Sequence, residues 1–289
     1  MTNPNRVWLT ECPRDAMQGI HDFIPTSVKV EYLNTLLKVG FDRLDFGSFV
    51  SPKAIPQLRD TREVLQGLIP TSTTKLLAII ANHRGAVEAS EFDSIAILGY
   101  PFSVSETFQK RNTNSSIEDS FETIQLIKNQ TDKTSKELLI YISMAFGNPY
   151  GDTWNSEIVI RWINELKKKG ITKIALADTV GMAHEKDVAY LTGEVIKEFP
   201  DLEVGVHLHC LPNNWKKKVN AAFDAGCRRF DSAISGYGGC PLAEDELVGN
   251  LATENLIQYL AEKNVETHIR PDEFNNAIAA SNLVFLPST

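Results

Sequence analysis

The sequence predicts an α/β fold: a (β/α)8 barrel forming one domain, with a short C-terminal helical extension. Three observations carry that expectation. Strand-like and helix-like runs alternate along the chain, roughly eight times in about 250 residues, which suits a parallel sheet closed by helical crossovers. The 289 residues are 43% hydrophobic and 23% charged, with no Pro/Gly/Ser-rich linker, as in a globular chain with one large core. No G-x-G-x-x-G follows the first strand and no Walker A motif occurs, so the alternative open nucleotide-binding sheet lacks its usual signature.

The elements follow in order. Val7–Leu9 is a short apolar strand. Thr26 is placed to cap a helix in which Val30, Leu33, Leu36 and Leu37 recur at helical spacing, and Gly40 stops it. Phe41–Phe46 is the second strand, and Ile55–Leu68 a helix with a proline near its start. Lys75–Ile80 and Ser94–Leu98 are strands around a short helix at Arg84–Ser90. An amphipathic helix at Ile117–Asn129 leads to a strand at Leu138–Ser143. Asn155 or Ser156 caps the next helix, whose apolar side holds Ile158, Trp162, Ile163 and Leu166, and Gly170 ends it. Strands at Ile171–Leu176, Glu203–His209 and Arg228–Ile234 alternate with helices at Glu185–Phe199 and Asn214–Ala225. A helix over 254–263 completes the barrel, expected to span about 6–265, and a helical tail over 271–283 lies within 266–289.

A net charge of −8 disfavours binding to nucleic acid or anionic membranes, although a local basic cluster can still hold an anionic small molecule. No apolar run approaches the ~18 residues of a membrane helix. The polar start Met1–Asn5 lacks a signal or transit signature, so a cytoplasmic protein is expected. The four cysteines, Cys12, Cys210, Cys227 and Cys240, show no C-x-x-C spacing, which argues against a thiolate zinc site.

In a barrel of this kind, polar residues at the C-terminal strand ends face the active site. The candidates are Arg14, Asp15 and Gln18 after strand one, and Asp45, Ser48, Phe49, Val50 and Lys53 at strand two. Asp178 and Thr179 follow strand six, and His207-Leu208-His209 ends strand seven. Gly238-Gly239-Cys240-Pro241 and Asn250 follow strand eight. Strand alternation puts both imidazoles on one face. That suits a metal pair, and equally a hydrogen-bonded pair of strand-end histidines. Two imidazoles with oxygen ligands and no thiolates fit Mg²⁺ or Mn²⁺ better than structural zinc. Arg14 reads as a rim salt bridge or as a charged fork aimed at a developing oxyanion. The glycines around Cys240 read as an ordinary loop or as a mobile lid carrying a reactive thiol.

Taken together, these residues resemble the 3-hydroxy-3-methylglutaryl-CoA lyases, metal-dependent TIM-barrel enzymes. The likeness runs through Glu11-Cys12-Pro13-Arg14-Asp15-Ala16-Met17-Gln18, Asp45-Phe46-Gly47-Ser48-Phe49-Val50-Ser51-Pro52-Lys53, Ser105–Phe108 and Asn112–Glu118. It continues through Gly147–Gly151, Asp178–Gly181, His207–His209, Gly238–Pro241 and Gly249–Glu254. The resemblance implies metal ligation by Asp15, His207, His209 and Asn250. It implies catalytic roles for Arg14, Cys240, His207 and Asp45, and substrate contacts from Gln18, Ser48, Phe49, Val50, Lys53, Asp178 and Thr179. The implied reaction cleaves 3-hydroxy-3-methylglutaryl-CoA to acetyl-CoA and acetoacetate by a retro-Claisen step, with Mg or Mn as cofactor, in a homodimer. Related readings are a condensing acyl-CoA/2-oxo-acid synthase, an aldolase, or a barrel that binds ligand without turnover. The chain departs from the family pattern at Cys210, where Asp is usual, and at Glu11, one position later than the expected acid. Asp45 stands where Glu is usual, and Asn255 where Asp is common.

Overall fold

The computed structural model describes residues 6–239 and 248–286. Its strands are β1 (Trp8–Glu11), β2 (Arg43–Phe49), β3 (Lys75–Ile80), β4 (Ile95–Ser103), β5 (Glu137–Ser143), β6 (Lys173–Asp178), β7 (Glu203–Leu208) and β8 (Arg229–Ser232). All pair in parallel in sequence order, and β1 pairs with β8, so the sheet closes into a barrel. This is the expected (β/α)8 architecture.

The crossover layer contains α1 (Pro13–Gln18), α2 (Thr26–Val39), α3 (Thr61–Gly67), α4 (His83–Ser90), α5 (Glu106–Thr113) and α6 (Ile117–Lys133). It continues with α7 (Ser156–Lys168), α8 (Glu185–Glu198), α9 (Trp215–Asp224), α10 (Thr253–Glu262) and α11 (Pro271–Phe285). The main core lies between strands and helices, where Leu33, Ile124, Val159, Leu191 and Val219 are fully buried. The C-terminal helix α11 packs on α2 through Tyr32–Phe285 and, beside α2, Phe41–Phe274 edge-to-face ring pairs.

The barrel interior has two unlike halves. Leu77, Ile79, Ile97, Leu139, Tyr141 and Ala175, from β3 to β6, form a separate apolar cluster. The ladder places Thr10, Arg43, Asp231 and His207 in register across β1, β2, β8 and β7. Buried charges in this half are paired, as a low-dielectric interior requires. Arg43 Nη2 lies 2.6 Å from Glu203 Oε1, and Arg229 Nε 3.3 Å from the same oxygen. Gly205 makes room for this: a Cβ there would lie 2.4 Å from the Arg229 guanidinium.

Several boundaries differ from the sequence reading. Thr26 is the first residue of α2 and not its cap; its hydroxyl donates to Asp60 Oδ2 at 2.7 Å. Asn155 does cap α7, accepting the Ile158 N–H at 2.9 Å. The expected helix over 55–68 is a 3₁₀ turn at Pro56–Leu58 followed by α3. The break fits side-chain competition: the Thr61 hydroxyl donates to the Leu58 carbonyl and accepts from the Ser48 N–H. Two helices, α1 and α5, lie where the sequence reading placed only loop motifs.

Candidate active site

The site begins at the turn after β1. Pro13 occupies the first position of α1, where its missing N–H costs nothing. This short helix projects Arg14, Asp15 and Gln18 together. Arg14 Nη2 and Nε lie 2.6 and 3.0 Å from Asp45 Oδ2 on β2. Its Nη1 donates to Asp15 Oδ1 at 3.1 Å and to Gln18 Oε1 at 2.9 Å. Gln18 Nε2 returns to Asp15 Oδ1 at 2.7 Å. Four of the five guanidinium N–H groups are thereby spent on fixing the fork.

Opposite stand His207 on β7 and His209 just after it, their Nε2 atoms 3.2 Å apart. His209 Nδ1 faces the Val248 carbonyl at 2.8 Å, which makes Nδ1 the protonated nitrogen. His207 Nδ1 faces Asp231 Oδ2 at 3.4 Å. Both Nε2 atoms face one region, beside Asp15 Oδ2 at 4.0 Å from His207 Nε2; with a cation bound there, both imidazoles would be neutral and offer their lone pairs. Two converging lone pairs next to a carboxylate make a poor hydrogen-bond set and a good cation set. Asp15, His207 and His209 each offer a ligand atom within 4.8 Å of the others. Asn250 donates its amide nitrogen to Asp15 Oδ2 and to the Tyr237 carbonyl, each at 2.8 Å, so its amide oxygen is what it can offer a cation. Gly238 permits this approach: its φ is +105°, and a Cβ would lie 2.6 Å from the Asn250 amide nitrogen.

Electrostatics follow from burial and pairing. Burial pushes the Asp15 carboxyl up, but the Arg14 guanidinium and the histidines hold it below the usual carboxylate range. Burial wins at Asp45, which is pushed up to about 6 although Arg14 opposes the shift. Burial and then the neighbouring His207 push the His209 imidazole down, whereas at His207 the Asp231 and Asp15 carboxylates outweigh burial and push it up.

A cavity of about 450 Å³ opens above these groups. Arg14, Asp15, His207 and His209 form its floor, with Ser48, Tyr141, Ser143 and Thr179 around them. Arg111, Asn112, Thr113 and Asn114 from the end of α5 also line it.

A model of the HMGL-like family matches residues 7–284. The chain belongs to the HMGL-like family. It is 30% identical over 278 residues to the hydroxymethylglutaryl-CoA lyase of Bacillus subtilis, covering 96% of this chain and 92% of that one. It is 32% identical over 251 residues to the cytoplasmic 3-hydroxy-3-methylglutaryl-CoA lyase of Rattus norvegicus, covering 86% and 72%. Among solved structures, an HMG-CoA lyase from Acinetobacter baumannii, in complex with coenzyme A and 3-methylmalate, superposes with a TM-score of 0.91. That alignment has 31% identity and covers 98% of this chain and 93% of that one.

Within this HMGL-like barrel, most residues singled out from sequence converge. Arg14, Asp15, Gln18, Ser48, Val50, Thr179, His207 and His209 line one cavity, with Asp45 and Asn250 directly behind Arg14 and Asp15. Three expected substrate contacts do not line it. Phe49 is turned away: the β2–β3 register shifts between Asp45 and Gly47, so Ser48 faces the axis and the Phe49 ring packs on Phe92. Asp178 is buried and bonded to Lys218 at 2.6 Å. Lys53 is exposed, outside the cavity lining. Cys240 lies outside the described residues. Two residues that shape the site, Tyr141 and Asp231, are not among those singled out from sequence, whereas Asn112–Asn114 at the end of α5 belong to a motif of the family likeness. The signal for Asp231 was available: Arg229 and Asp231, like Arg43 and Asp45, are charges at alternate positions of a buried strand, which marks a polar interior face.

Among the described residues, no helix is long and apolar enough to cross a membrane.

Proposed function

We propose that this protein cleaves 3-hydroxy-3-methylglutaryl-CoA to acetyl-CoA and acetoacetate, with Mg²⁺ or Mn²⁺ at Asp15, His207, His209 and Asn250. The observation that carries the reading is the immobilised Arg14 fork beside two converging imidazoles on the floor of the cavity. When bound, such a cation makes a ligated hydroxyl easier to ionise. The chain's own residues supply the rest. Asp45, with both oxygens on Arg14, holds the guanidinium in place. The remaining Arg14 N–H, on Nη2, is the donor for negative charge developing on the thioester oxygen as the carbon–carbon bond breaks. A donor of this kind is worth about 3–4 kcal/mol in the transition state. Gln18 and Asp15 keep Arg14 from swinging away before substrate arrives. Ser48 and Thr179 are offered as polar contacts for the acyl group, and the Arg111–Asn114 end of α5, which lines the same cavity, as a contact for the coenzyme A tail. Cys240 is assigned its loop-thiol role, and the protein its homodimeric state, from the family likeness alone; a cytoplasmic location fits the Bacillus subtilis relative.

The test is acetoacetate release from 3-hydroxy-3-methylglutaryl-CoA by purified protein with Mn²⁺. Arg14→Lys should keep Mn²⁺ yet lose at least about a hundredfold in turnover, because an ammonium cannot reproduce the fork. No acetoacetate from folded, Mn²⁺-loaded wild type overturns the assignment.

A further inference from the structure

Helix α9 carries three consecutive lysines, and the third faces inward. Lys216 pairs with Glu262 at the surface, whereas Lys218 is 2% exposed. An ammonium has three protons and no acceptor, so burying it is tolerable only when each proton meets an oxygen. Lys218 Nζ lies 2.6 Å from Asp178 Oδ2, 2.8 Å from the Gly181 carbonyl and 3.0 Å from the His209 carbonyl. These acceptors belong to the end of β6, the loop after it and the residue that follows β7. The other Asp178 oxygen accepts the Ala183 N–H at 3.0 Å, so the carboxylate is committed to shaping the same loop.

His209 is consequently held from several sides. Its carbonyl is on Lys218 and its Nδ1 on the Val248 carbonyl. Its neighbour Cys210 donates its N–H to the Gly249 carbonyl at 2.9 Å. Gly181 at φ +73° packs so tightly on Val248 that a Cβ would lie 2.6 Å from a valine methyl. The loop gripped by Lys218 therefore also braces the residue that orients the His209 ring.

We propose that Lys218 is a positioning residue for His209, an internal cation that locks the ends of β6 and β7 where the two imidazoles converge. A lysine present only to neutralise Asp178 would need one of these three bonds; the other two go to backbone whose place decides where His209 points. The proposal rests on the reading of Asp15, His207 and His209 as metal ligands.

The test uses the full chain. Free Mn²⁺ measured by electron paramagnetic resonance gives the affinity of wild type, Lys218→Met and Lys218→Ala. Both variants should bind Mn²⁺ about 10- to 100-fold more weakly. Added n-propylammonium should restore Lys218→Ala saturably and leave Lys218→Met unchanged, an outcome that a general loss of stability does not produce. Wild-type Mn²⁺ affinity in folded Lys218→Met overturns the proposal. If both variants fail to fold, Asp178→Asn keeps the shape and the ammonium and should still weaken Mn²⁺ by about threefold or more; unchanged affinity there overturns it equally. If wild type itself takes up no Mn²⁺, the metal reading has failed, and the clamp is judged without metal. Amide exchange at Cys210 and Leu251, which close the ladder around His209, should then be about tenfold faster or more in the folded variant than in wild type. Equal exchange overturns the clamp.

Discussion

At the scale of single residues, Glu11 shows how a one-position shift changes a carboxylate's task. The barrel-facing position belongs to Thr10, in register with Asp231 and Arg43, so Glu11 points outward under α10. It is fully buried there, accepting the Ile234 N–H at 2.8 Å and the Thr253 hydroxyl at 2.6 Å. Burial outweighs those bonds and pushes its carboxyl up to about 8. A raised folded-state pKa means the native protein keeps a proton that the unfolded chain has lost. The associated stability is complete below the unfolded value of 4.5 and is lost as pH rises through about 8. Glu11→Gln mimics the protonated form and should flatten that decline, which costs wild type at most about 1.4 kcal/mol per pH unit. Urea midpoints at pH 5.5, 7 and 8.5 check it; parallel pH profiles for the two proteins would refute it.

At the scale of elements, short irregular pieces do the positioning. The bulge in β2 lets Asp45 and Ser48 share the interior face, which strict alternation forbids. Helix α5 is built by its start: Ser105 accepts the Phe108 N–H, and Asp152, from the loop after β5, binds the Ser105 hydroxyl at 2.6 Å. Asp152 also takes both the N–H and the hydroxyl of Thr107, each at 2.9 Å. The far end of the same helix carries Arg111 to Asn114 into the cavity. Asp152→Ala should therefore cost about 1–2 kcal/mol of stability. It should also raise KM for the acyl-CoA several-fold with a smaller change in kcat. Thermal melts and steady-state kinetics read the two effects, and an unchanged KM would separate α5 from substrate binding.

At the scale of the whole molecule, the barrel divides its labour. The β3–β6 side packs apolar side chains, while β1, β2, β7 and β8 carry the charges and, at their C-terminal ends, the site. The Asp15 carboxylate stands beside the two imidazoles, so a cation is attracted to a place where all three side chains can reach it. Because the ligands come from α1, β7 and the segment before α10, a bound ion cross-links the first and last parts of the barrel. At a hundredfold excess over its Kd, Mn²⁺ should add about 2.7 kcal/mol to stability. A melting temperature that rises with Mn²⁺ and falls back with EDTA is the expected result; identical melts with and without the ion would remove the metal from this site.

The alternation of strands and helices, the strand-end positions of Arg14, Asp15, His207 and His209, and their family likeness were all legible along the chain. Each depends on local periodicity or on residues close in sequence. Tertiary structure decided what depends on register and distance. The bulge removed Phe49 from the cavity, Lys218 claimed Asp178 from 40 residues away, and Asn250 met Asp15 across 235 positions. The sequence by itself determined a barrel of this family and which side chains gather at one end of it. Only the closed sheet decided which of those side chains are free for chemistry and which are spent holding the others, because burial obliges every charge to find a partner and the fold determines which partners are within reach.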